Sequence, residues 1–144
     1  MPNELHLRIV TPDRTIVDRK VSGVSFVGVD GGYGILPGHA PLMTAISSTG
    51  TLEITETAGE KLSLFVSDGF AQMQKNVLTL VCEAGEMATE IDLERVKAAE
   101  AAAREKMENL DRLSEEFLKA EASLRKALAR EALVRKSGGS GSLR

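Results

Sequence analysis

Residues 77–107 read VLTLVCEAGEMATEIDLERVKAAEAAAREKM, and the character of the chain changes within this stretch. Residues 77–82 form an apolar run of the kind that makes a strand. From about residue 88, Ala, Glu, Lys, Arg and Leu dominate, and neither Gly nor Pro returns before Gly138. Because these residue types are the strongest helix formers, the stretch divides the chain into a strand-rich first part and a helical second part.

The first part, residues 1–87, is predicted to form an antiparallel β-sandwich. Leu5, Leu7 and Ile9 alternate with polar residues, which is the period of a half-buried strand. Similar runs cover residues 15–17, 24–27, 52–55, 61–66, 70–73 and 77–82. Turn residues separate these runs, among them Ser67-Asp68-Gly69, which is predicted to be a hairpin turn. Short strands with turn chemistry between them are typical of sandwiches.

Residues 31–42 read GGYGILPGHAPL and are predicted to form one tightly specified loop. Gly permits positive φ and close backbone approach, whereas Pro fixes φ and removes a hydrogen-bond donor. His39, one of the two histidines in the chain, lies within the segment. The composition therefore indicates a segment with a defined shape rather than a spacer.

The second part, residues 88–136, is predicted to form an antiparallel two-helix hairpin, so that the fold class is α+β. Asp92 is predicted to cap the first helix and Ser114 the second. Because the apolar stripe is narrow and rich in Ala, the hairpin gains little from its own packing. Residues 137–144 have the composition of a flexible tail. The predicted stripe consists of Leu93, Val96, Ala99 or Glu100, Ala103, Met107 and Leu110 on the first helix and Phe117, Leu124, Leu128 and Ala132 on the second.

The composition of the chain excludes several classes of protein. The 144 residues carry a formal charge of −3, which argues against a nucleic-acid partner. No run approaches the ~20 apolar residues of a membrane span, and the first residues lack the pattern of a signal or transit peptide. We therefore expect a soluble protein made where it works, in bacterial cytoplasm or plastid stroma. Cys82 is the one cysteine, which excludes an internal disulfide, and its apolar strand predicts a buried, inert thiol.

The sequence predicts no catalytic residue and no metal site. His6 lies on the polar face of a strand, and neither it nor His39 has a cysteine partner or a paired metal-ligand spacing. Asp30-Gly31-Gly32 is similar to a phosphate-binding loop, but no Lys-Ser/Thr pair follows it. An enzyme of phosphate chemistry stays an alternative, which turnover by the purified chain alone would reveal.

Charged residues of the predicted hairpin allow two interpretations. Asp92 and Arg95 lie at the start of the first helix, and the second helix brings cations such as Arg125 back toward them. Cations beside a helix N-terminus form a phosphate or nucleotide site. Alternatively, Asp92 only caps the helix, and Arg95 pairs with Glu94 or Glu100 at the surface.

The second helix is basic. From Lys119 to the C-terminus there are seven cations and two anions. One interpretation is a solvated face whose charge favours the end of the helix. The other is that this helix docks onto an acidic protein surface.

Three segments of the chain resemble the epsilon subunit of rotary F-type ATP synthases. They are Gly34-Ile35-Leu36-Pro37-Gly38-His39-Ala40-Pro41-Leu42, then Ser67-Asp68-Gly69-Phe70, then Ile91-Asp92-Leu93-Glu94-Arg95 at the start of the helices. The resemblance covers about residues 3–136, in order and with similar spacing. It implies a β-sandwich at residues 1–87 that binds the gamma subunit and the membrane c-ring, and a mobile inhibitory hairpin at residues 88–136.

The resemblance also implies a function and its contacts. The family couples proton flow to ATP synthesis from the central stalk and restrains ATP hydrolysis, without being catalytic itself. The implied location is the cytoplasmic side of the bacterial inner membrane, as a peripheral subunit, with the plastid thylakoid as the second choice. The implied c-ring and stalk contacts are Gly31, Gly32, Tyr33, His39 and Leu42. Arg125, Lys126 and Arg130 are the implied inhibitory contacts with an acidic segment of a beta subunit in the alpha–beta catalytic hexamer.

Some bacterial members of this family bind ATP through an Ile/Leu-Asp-x-x-Arg-Ala motif, which locks the hairpin. Ile91, Asp92 and Arg95 match that motif, and Glu86 and Arg125 lie where helper residues would be. Val96 replaces the Ala of the motif, and Ala102 stands where ATP-binding members carry another cation. The resemblance therefore implies ATP as a weak regulatory ligand.

One further alternative has a different function class. The chain would then be a stand-alone β-sandwich that binds a ligand, with its helices serving as an oligomerisation tail. That interpretation predicts a stable oligomer of the isolated chain, which sedimentation would detect.

Overall fold

The computed structural model describes the backbone of residues 3–47 and 50–142, and the side chains of these residues as far as residue 136. The chain divides into two compact units, Met1–Met87 and Ala88–Arg144. The boundary coincides with the change from strand-like to helical sequence. Residues 143–144 of the predicted flexible tail lie outside the described residues.

The described residues of the first unit form eight strands, which in chain order are β1 (Leu5–Val10), β2 (Thr15–Val21), β3 (Gly23–Gly28), β4 (Gly31–Ile35), β5 (Leu42–Ile46), β6 (Gly50–Thr55), β7 (Lys61–Gln74) and β8 (Val77–Met87). They lie in the order β2-β1-β8-β7-β5-β3-β4, with β6 paired to both β3 and β7. The predicted β-sandwich is confirmed, but it contains one parallel pair, in which β1 and β8 run together with His6 opposite Val77. Since these two strands lie far apart in the chain, no hairpin turn fixes their relative direction.

Alternating side chains of these strands make the core. On β1, Leu5, Leu7 and Ile9 are buried, as the period of two predicts. Cys82 on β8 is buried as well, and burial raises the pKa of its thiol to about 11. The thiol is therefore protonated at neutral pH, and the prediction of a buried, inert cysteine is confirmed.

Residues 31–42 do not form one loop, and that prediction is wrong. Gly31–Ile35 is strand β4, which pairs with β3, and Leu42 begins strand β5, so that only residues 36–41 are a loop. Within β4 the side chains of Tyr33 and Ile35 point toward the core, and the other three residues of the strand are glycine. The strand therefore keeps the period of two, but the sequence does not reveal this period, because glycine has no side chain to mark a position as polar or apolar.

Ser67-Asp68-Gly69 is not a hairpin turn, and that prediction is also wrong. These residues lie inside the 14-residue strand β7, which pairs with β8 from Leu64 to Gln74. On its other edge β7 changes partner here, since residues up to Val66 pair with β6 and residues from Gly69 pair with β5. Asp68 has a φ of 52°. The turn-forming residues thus bend one long strand between two partners.

The second unit is the predicted helical hairpin. A short 3-10 turn over Ala88–Glu90 leads into α1 (Leu93–Glu108), and α2 covers Glu115–Ser142. The side chain of Asp92 accepts a hydrogen bond from the backbone N–H of Glu94 at 3.0 Å, so the predicted first cap is confirmed. The Ser114 hydroxyl accepts one from the N–H of Phe117 at 3.1 Å, which confirms the second. Helix α2 also continues through residues 137–142, because a helix that has begun gains a hydrogen bond with each added residue.

The buried face of α2 differs from the predicted one. Phe117 is buried and Leu124 is half-buried, but Leu128 is 40% exposed and Ala132 is exposed. Successive steps of four residues drift around a helix that has 3.6 residues per turn. The observed face instead alternates steps of three and four, as in a coiled-coil seam. On α1 the seam contains Val96, Glu100 and Ala103, and on α2 it contains Phe117, Ala120, Leu124, Ala127 and Glu131. Leu133 of α2 is also buried but lies outside this series.

Candidate functional site

The loop over residues 36–41 is held in place by Asn76. The N–H of Gly38 donates to the Asn76 side-chain oxygen at 2.8 Å, and the Asn76 amide donates to the carbonyl of Glu4 at 2.8 Å. The Asn76 carbonyl accepts from the N–H of His6 at 3.1 Å. Asn76 therefore joins the loop, the turn between β7 and β8, and the start of β1. The Lys75-Asn76 pair between two strand-like runs predicts a turn, but no local signal predicts the bonds of the Asn76 side chain.

His39 lies half-buried within the same loop. Its Nδ1 is 2.7 Å from the carbonyl oxygen of Ala40, and the backbone N–H of His39 donates to the carbonyl of Leu36 at 3.1 Å. A protonated Nδ1 is the tautomer that this contact requires. His39 therefore shapes the loop, whereas Leu36, 67% exposed, is the apolar side chain that the loop presents to solvent.

Gly31 and Gly32 lie at the other end of β4. At about 3.3 Å per residue, the strand separates Gly31 from Ile35 by roughly 13 Å. A Cβ on Gly31 or Gly32 would meet no atom of the described residues within 4 Å, so the backbone is open there. The predicted contact residues thus fall into two groups, one with Gly31, Gly32 and Tyr33 and one with His39 and Leu42.

Tyr33 is fixed by two contacts beside the open backbone. Its ring stacks on Phe26 with 5.4 Å between ring centroids and 11° between planes. Its hydroxyl donates to the Asp30 carboxylate at 2.8 Å. Tyr33 therefore supports the β3–β4 turn, and its half-buried ring leaves only part of its surface for a partner.

An exposed apolar row crosses the sheet over β8, β7 and β5. Val81 is paired with Phe70, and Phe70 with Ala45, so that the three side chains lie side by side. Phe70 is 45% exposed and Met43, two residues before Ala45, is 66% exposed. Contiguous exposed apolar side chains of this kind mark interaction surfaces. Sequence reasoning missed the row because a continuous apolar strand is typical of one buried on both faces.

The start of α1 holds the residues of the ATP motif. Ile91 is buried, Asp92 caps the helix and Arg95 is exposed. The Asp92 carboxylate already occupies the helix N-terminus, because it also lies 3.5 Å from the N–H of Arg95. Asp92 therefore caps α1, as the sequence predicts. Among the described residues, Arg95 forms no ion pair with Glu94 or Glu100.

Arg125 lies at a different level of the hairpin. It pairs with Glu121, one turn earlier on α2, at 3.2 Å. The Glu100 and Glu131 side chains hydrogen-bond across the seam, so Arg95 lies level with residue 136 of the antiparallel partner. Arg125 is then about 16 Å away along the axis at 1.5 Å per residue. One phosphate group cannot contact both arginines in this arrangement.

The remaining predicted site residues lie in both units. Glu86 belongs to β8, in the first unit. Lys126 and Arg130 are half-buried residues of α2, one turn apart, whereas Arg125 is exposed. The structure thus places Arg125 where a partner has the freest access.

A groove of about 680 Å³ lies between α1 and α2 near their connection. Half of its lining residues are Ala or Ser, and the rest include two lysines and one glutamate. None of the predicted ATP or contact residues lines it. The lining residues are Ala99, Ala102, Ala103, Lys106, Asn109, Leu110, Glu116, Lys119, Ala120 and Ser123.

The described residues contain no group of three or more side chains suited to holding a metal ion. His6 pairs with Asp18 across the β1–β2 strands, on the polar face that the sequence predicted. The Ser67 hydroxyl is buried without a hydrogen-bond partner in the described part of the chain, so no base activates it. No described helix is long and apolar enough to cross a bilayer.

Comparison with known proteins shows similarity over most of the chain. A family model described as "ATP synthase, Delta/Epsilon chain, beta-sandwich domain" matches residues 4–88. An ATP synthase epsilon chain of Lawsonia intracellularis is 42% identical over 107 residues, which is 74% of this chain and 79% of that protein. An ATP synthase epsilon chain of Clostridium kluyveri is 36% identical over 135 residues, covering 94% of this chain and 100% of that protein. A chain of the Euglena gracilis mitochondrial ATP synthase has the same fold, with a TM-score of 0.79 at 24% identity over 92% of this chain and 82% of that chain.

Proposed function

Because this chain belongs to the ATP synthase delta/epsilon family and to its epsilon chains, we propose that it is a non-catalytic central-stalk subunit of a bacterial F-type ATP synthase. In that role it couples rotation to ATP synthesis and restrains ATP hydrolysis. Its partners are the gamma subunit, the c-ring, and the beta and alpha subunits of the catalytic hexamer. It meets the membrane only through this complex, as a peripheral subunit on the cytoplasmic side of the inner membrane.

The apolar row is the observation that carries the stalk assignment. Phe70, Met43 and Val81 expose apolar surface on neighbouring strands, and this surface would be covered in an assembly. We assign the row to the gamma subunit, because an interface core is richer in apolar side chains than its surroundings. The Gly31–Gly32 end of β4 is assigned to the c-ring, since its backbone is open to close approach.

The hairpin is assigned to inhibition. Arg125 is exposed on α2, and cations on a helix face recognise an acidic protein surface. Arg130 and Lys126 extend the same basic helix. The inhibitory contact therefore consists of these three residues and an acidic segment of a beta subunit.

ATP is proposed as a weak regulatory ligand of the hairpin. The matching residues Ile91, Asp92 and Arg95 support it, and the distance to Arg125 defines the pose. ATP would have to lie lengthwise along the hairpin, with one end at Arg95, to reach Arg125 as well. The ligand would neutralise the exposed charge of Arg95 and hold the two helices together.

Deletion and reconstitution test the proposed function. A variant ending at Glu90 keeps all eight strands, so the assembled enzyme should retain ATP synthesis and gain ATP hydrolysis. Co-purification of the full chain with the gamma subunit should occur, and sedimentation should show the isolated chain as a monomer. Unchanged hydrolysis would contradict the inhibitory role. A stable oligomer without gamma binding would instead favour the stand-alone ligand-binding module.

A further inference from the structure

Two glutamates meet inside the seam of the hairpin. Glu100 of α1 is 6% exposed, and the side chain of Glu131 of α2 is 17% exposed. Their carboxyl groups are hydrogen-bonded to each other. The seam on either side of them is made of small or apolar side chains such as Val96, Ala103 and Ala127. Two negative charges held against each other would repel, and the burial of Glu100 adds a cost to its charged form.

A hydrogen bond between two carboxyl groups requires a proton on one of them, because two carboxylates can only accept. Arg135 determines which group carries it. Its Nε and Nη2 atoms both lie on one oxygen of Glu131, at 2.8 and 2.7 Å. Glu131 is thereby kept as the carboxylate, and its other oxygen is available to a donor. Glu100 is then the group that carries the proton and donates.

The charged groups around the pair come from both helices. Lys97 and Arg104 lie one turn before and after Glu100 on α1, and Arg135 lies one turn after Glu131 on α2. The hydrogen bond to Glu131 raises the pKa of Glu100 above its ordinary value; burial and the charge of Glu131 raise it further, against Arg104 and Lys97. The hydrogen bonds from Glu100 and Arg135 lower the pKa of Glu131. The pair therefore holds a single proton over the interval between these two values.

We propose that Glu100 and Glu131 form a proton-binding site that latches α1 to α2, so that binding one proton closes the hairpin and losing it opens the hairpin. The ligand of this site is the proton itself. When the hairpin opens, both carboxyl groups return to water and titrate like ordinary glutamates. The closed and open forms therefore bind different numbers of protons, which makes their equilibrium depend on pH.

The pKa shifts of Glu100 and Glu131 determine how the stability of the closed hairpin changes with pH. The raised pKa of Glu100 contributes stability to the closed form below the ordinary pKa of glutamate, and this contribution is lost as pH rises through the raised value. The lowered pKa of Glu131 contributes stability above the ordinary value, and this is lost as pH falls through the lowered one. The closed hairpin is therefore most stable between the two values and opens on the alkaline side of Glu100. One proton changes the opening constant by up to about tenfold per pH unit.

NMR titration of the isolated full chain tests the site directly. With ¹³C-labelled glutamate, the carboxyl signal of Glu100 should titrate above those of exposed glutamates, and that of Glu131 below them. Hydrogen exchange of α1 and α2 amides, corrected for the intrinsic effect of pH, should show opening as pH rises through the Glu100 transition. Both measurements need no other subunit, so their outcome does not depend on the proposed role in the complex.

Three variants make the test specific. Glu100→Gln keeps a donor for Glu131 without a titrating proton, so the hairpin should stay closed and lose the alkaline opening. Glu131→Gln supplies an amide donor to Glu100, so the pKa of Glu100 should fall toward its ordinary value. Glu105→Gln, on the exposed face of α1, should behave like the original chain. The proposal is overturned if Glu100 titrates with the exposed glutamates, or if Glu100→Gln opens with the same pH dependence as the original chain.

Discussion

Gly69 and the backbone of Val81 approach so closely that a Cβ built on Gly69 would lie 1.8 Å from the Val81 carbonyl oxygen. No side chain fits at that distance. The contact lies where β7 changes partner from β6 to β5, directly after the positive φ of Asp68. Glycine at position 69 therefore allows β7 to pair with β6 and then β5 on one edge while β8 stays paired on the other.

Replacing Gly69 with alanine should destabilise the first unit strongly. The added methyl group must push the β7 and β8 backbones apart, and overpacking of this kind costs about 1–3 kcal/mol or more. Thermal or denaturant unfolding of the purified chain measures the loss. Gly32→Ala is the matched control, because its Cβ would meet nothing within 4 Å, and it should change stability by no more than about 0.5 kcal/mol. Equal stability of the two variants would contradict the close approach.

Asn76 should stabilise the first unit in two separable ways. Its side chain makes two hydrogen bonds, to Gly38 and to Glu4, and its φ of 63° lies in the left-handed region. Asn76→Gly keeps the backbone conformation and loses only the side-chain bonds, which should cost about 1–3 kcal/mol. Asn76→Ala also strains the backbone and should lose about 1–2 kcal/mol more. Urea unfolding of both variants tests this, and an alanine variant as stable as the glycine variant would show that the strain is absent.

The fold was predictable wherever a pattern is local. The alternation of Leu5, Leu7 and Ile9 predicts a strand, and the side chains of Asp92 and Ser114 predict helix starts, because each signal lies within a few residues of its effect. Strand β4 was not predicted because three of its five residues are glycine. The bend at Ser67–Gly69 was not predicted because the same residue types form hairpin turns and bulges within strands. Only the pairing partners of β7 distinguish a turn from a bulge.

The candidate site was less predictable, because its geometry depends on distant pairings. Nothing near Asn76 in the chain shows that it bonds to Glu4 and Gly38. The predicted contact residues are all exposed or half-buried, yet β4 separates Gly31 from His39. Glu131 looks like a surface residue of a basic helix, and only the register of the hairpin places it against Glu100.

Phe70→Glu should weaken binding of the chain to the gamma subunit. The substitution places a charge in the apolar row, whereas the chain alone should fold normally because Phe70 is 45% exposed. Loss of an aromatic anchor from an interface costs about 2 kcal/mol or more, so affinity should fall at least about tenfold. Co-purification and titration with gamma measure it. Thr51→Glu, an exposed position on β6, is the control and should bind like the original chain. Binding of Phe70→Glu that matches this control would remove the row from the interface.

Reversing two cations of α2 should release hydrolysis by the assembled enzyme. Arg125→Glu combined with Arg130→Glu replaces attraction to an acidic beta-subunit segment with repulsion. The conservative pair Arg125→Lys and Arg130→Lys keeps the charge and should keep most of the inhibition. ATP hydrolysis is measured with each variant reconstituted into the complex, over a range of salt concentrations, since the effect should diminish as salt rises. Equal hydrolysis by both pairs would show that these charges do not inhibit.

ATP should increase the protection of hairpin amides from hydrogen exchange, and Arg95→Ala should abolish that increase. Arg95 is exposed beside the capped start of α1, so its removal leaves the fold intact and takes away the cation nearest the motif. Arg112→Ala is the control. It removes an exposed cation of the connection between the helices, beyond the end of α1, which lies about 20 Å from Arg95 at 1.5 Å per residue, and it should leave the ATP effect unchanged. If both variants weaken ATP binding equally, the nucleotide is attracted only by general positive charge, and the motif at Ile91, Asp92 and Arg95 does not form a site.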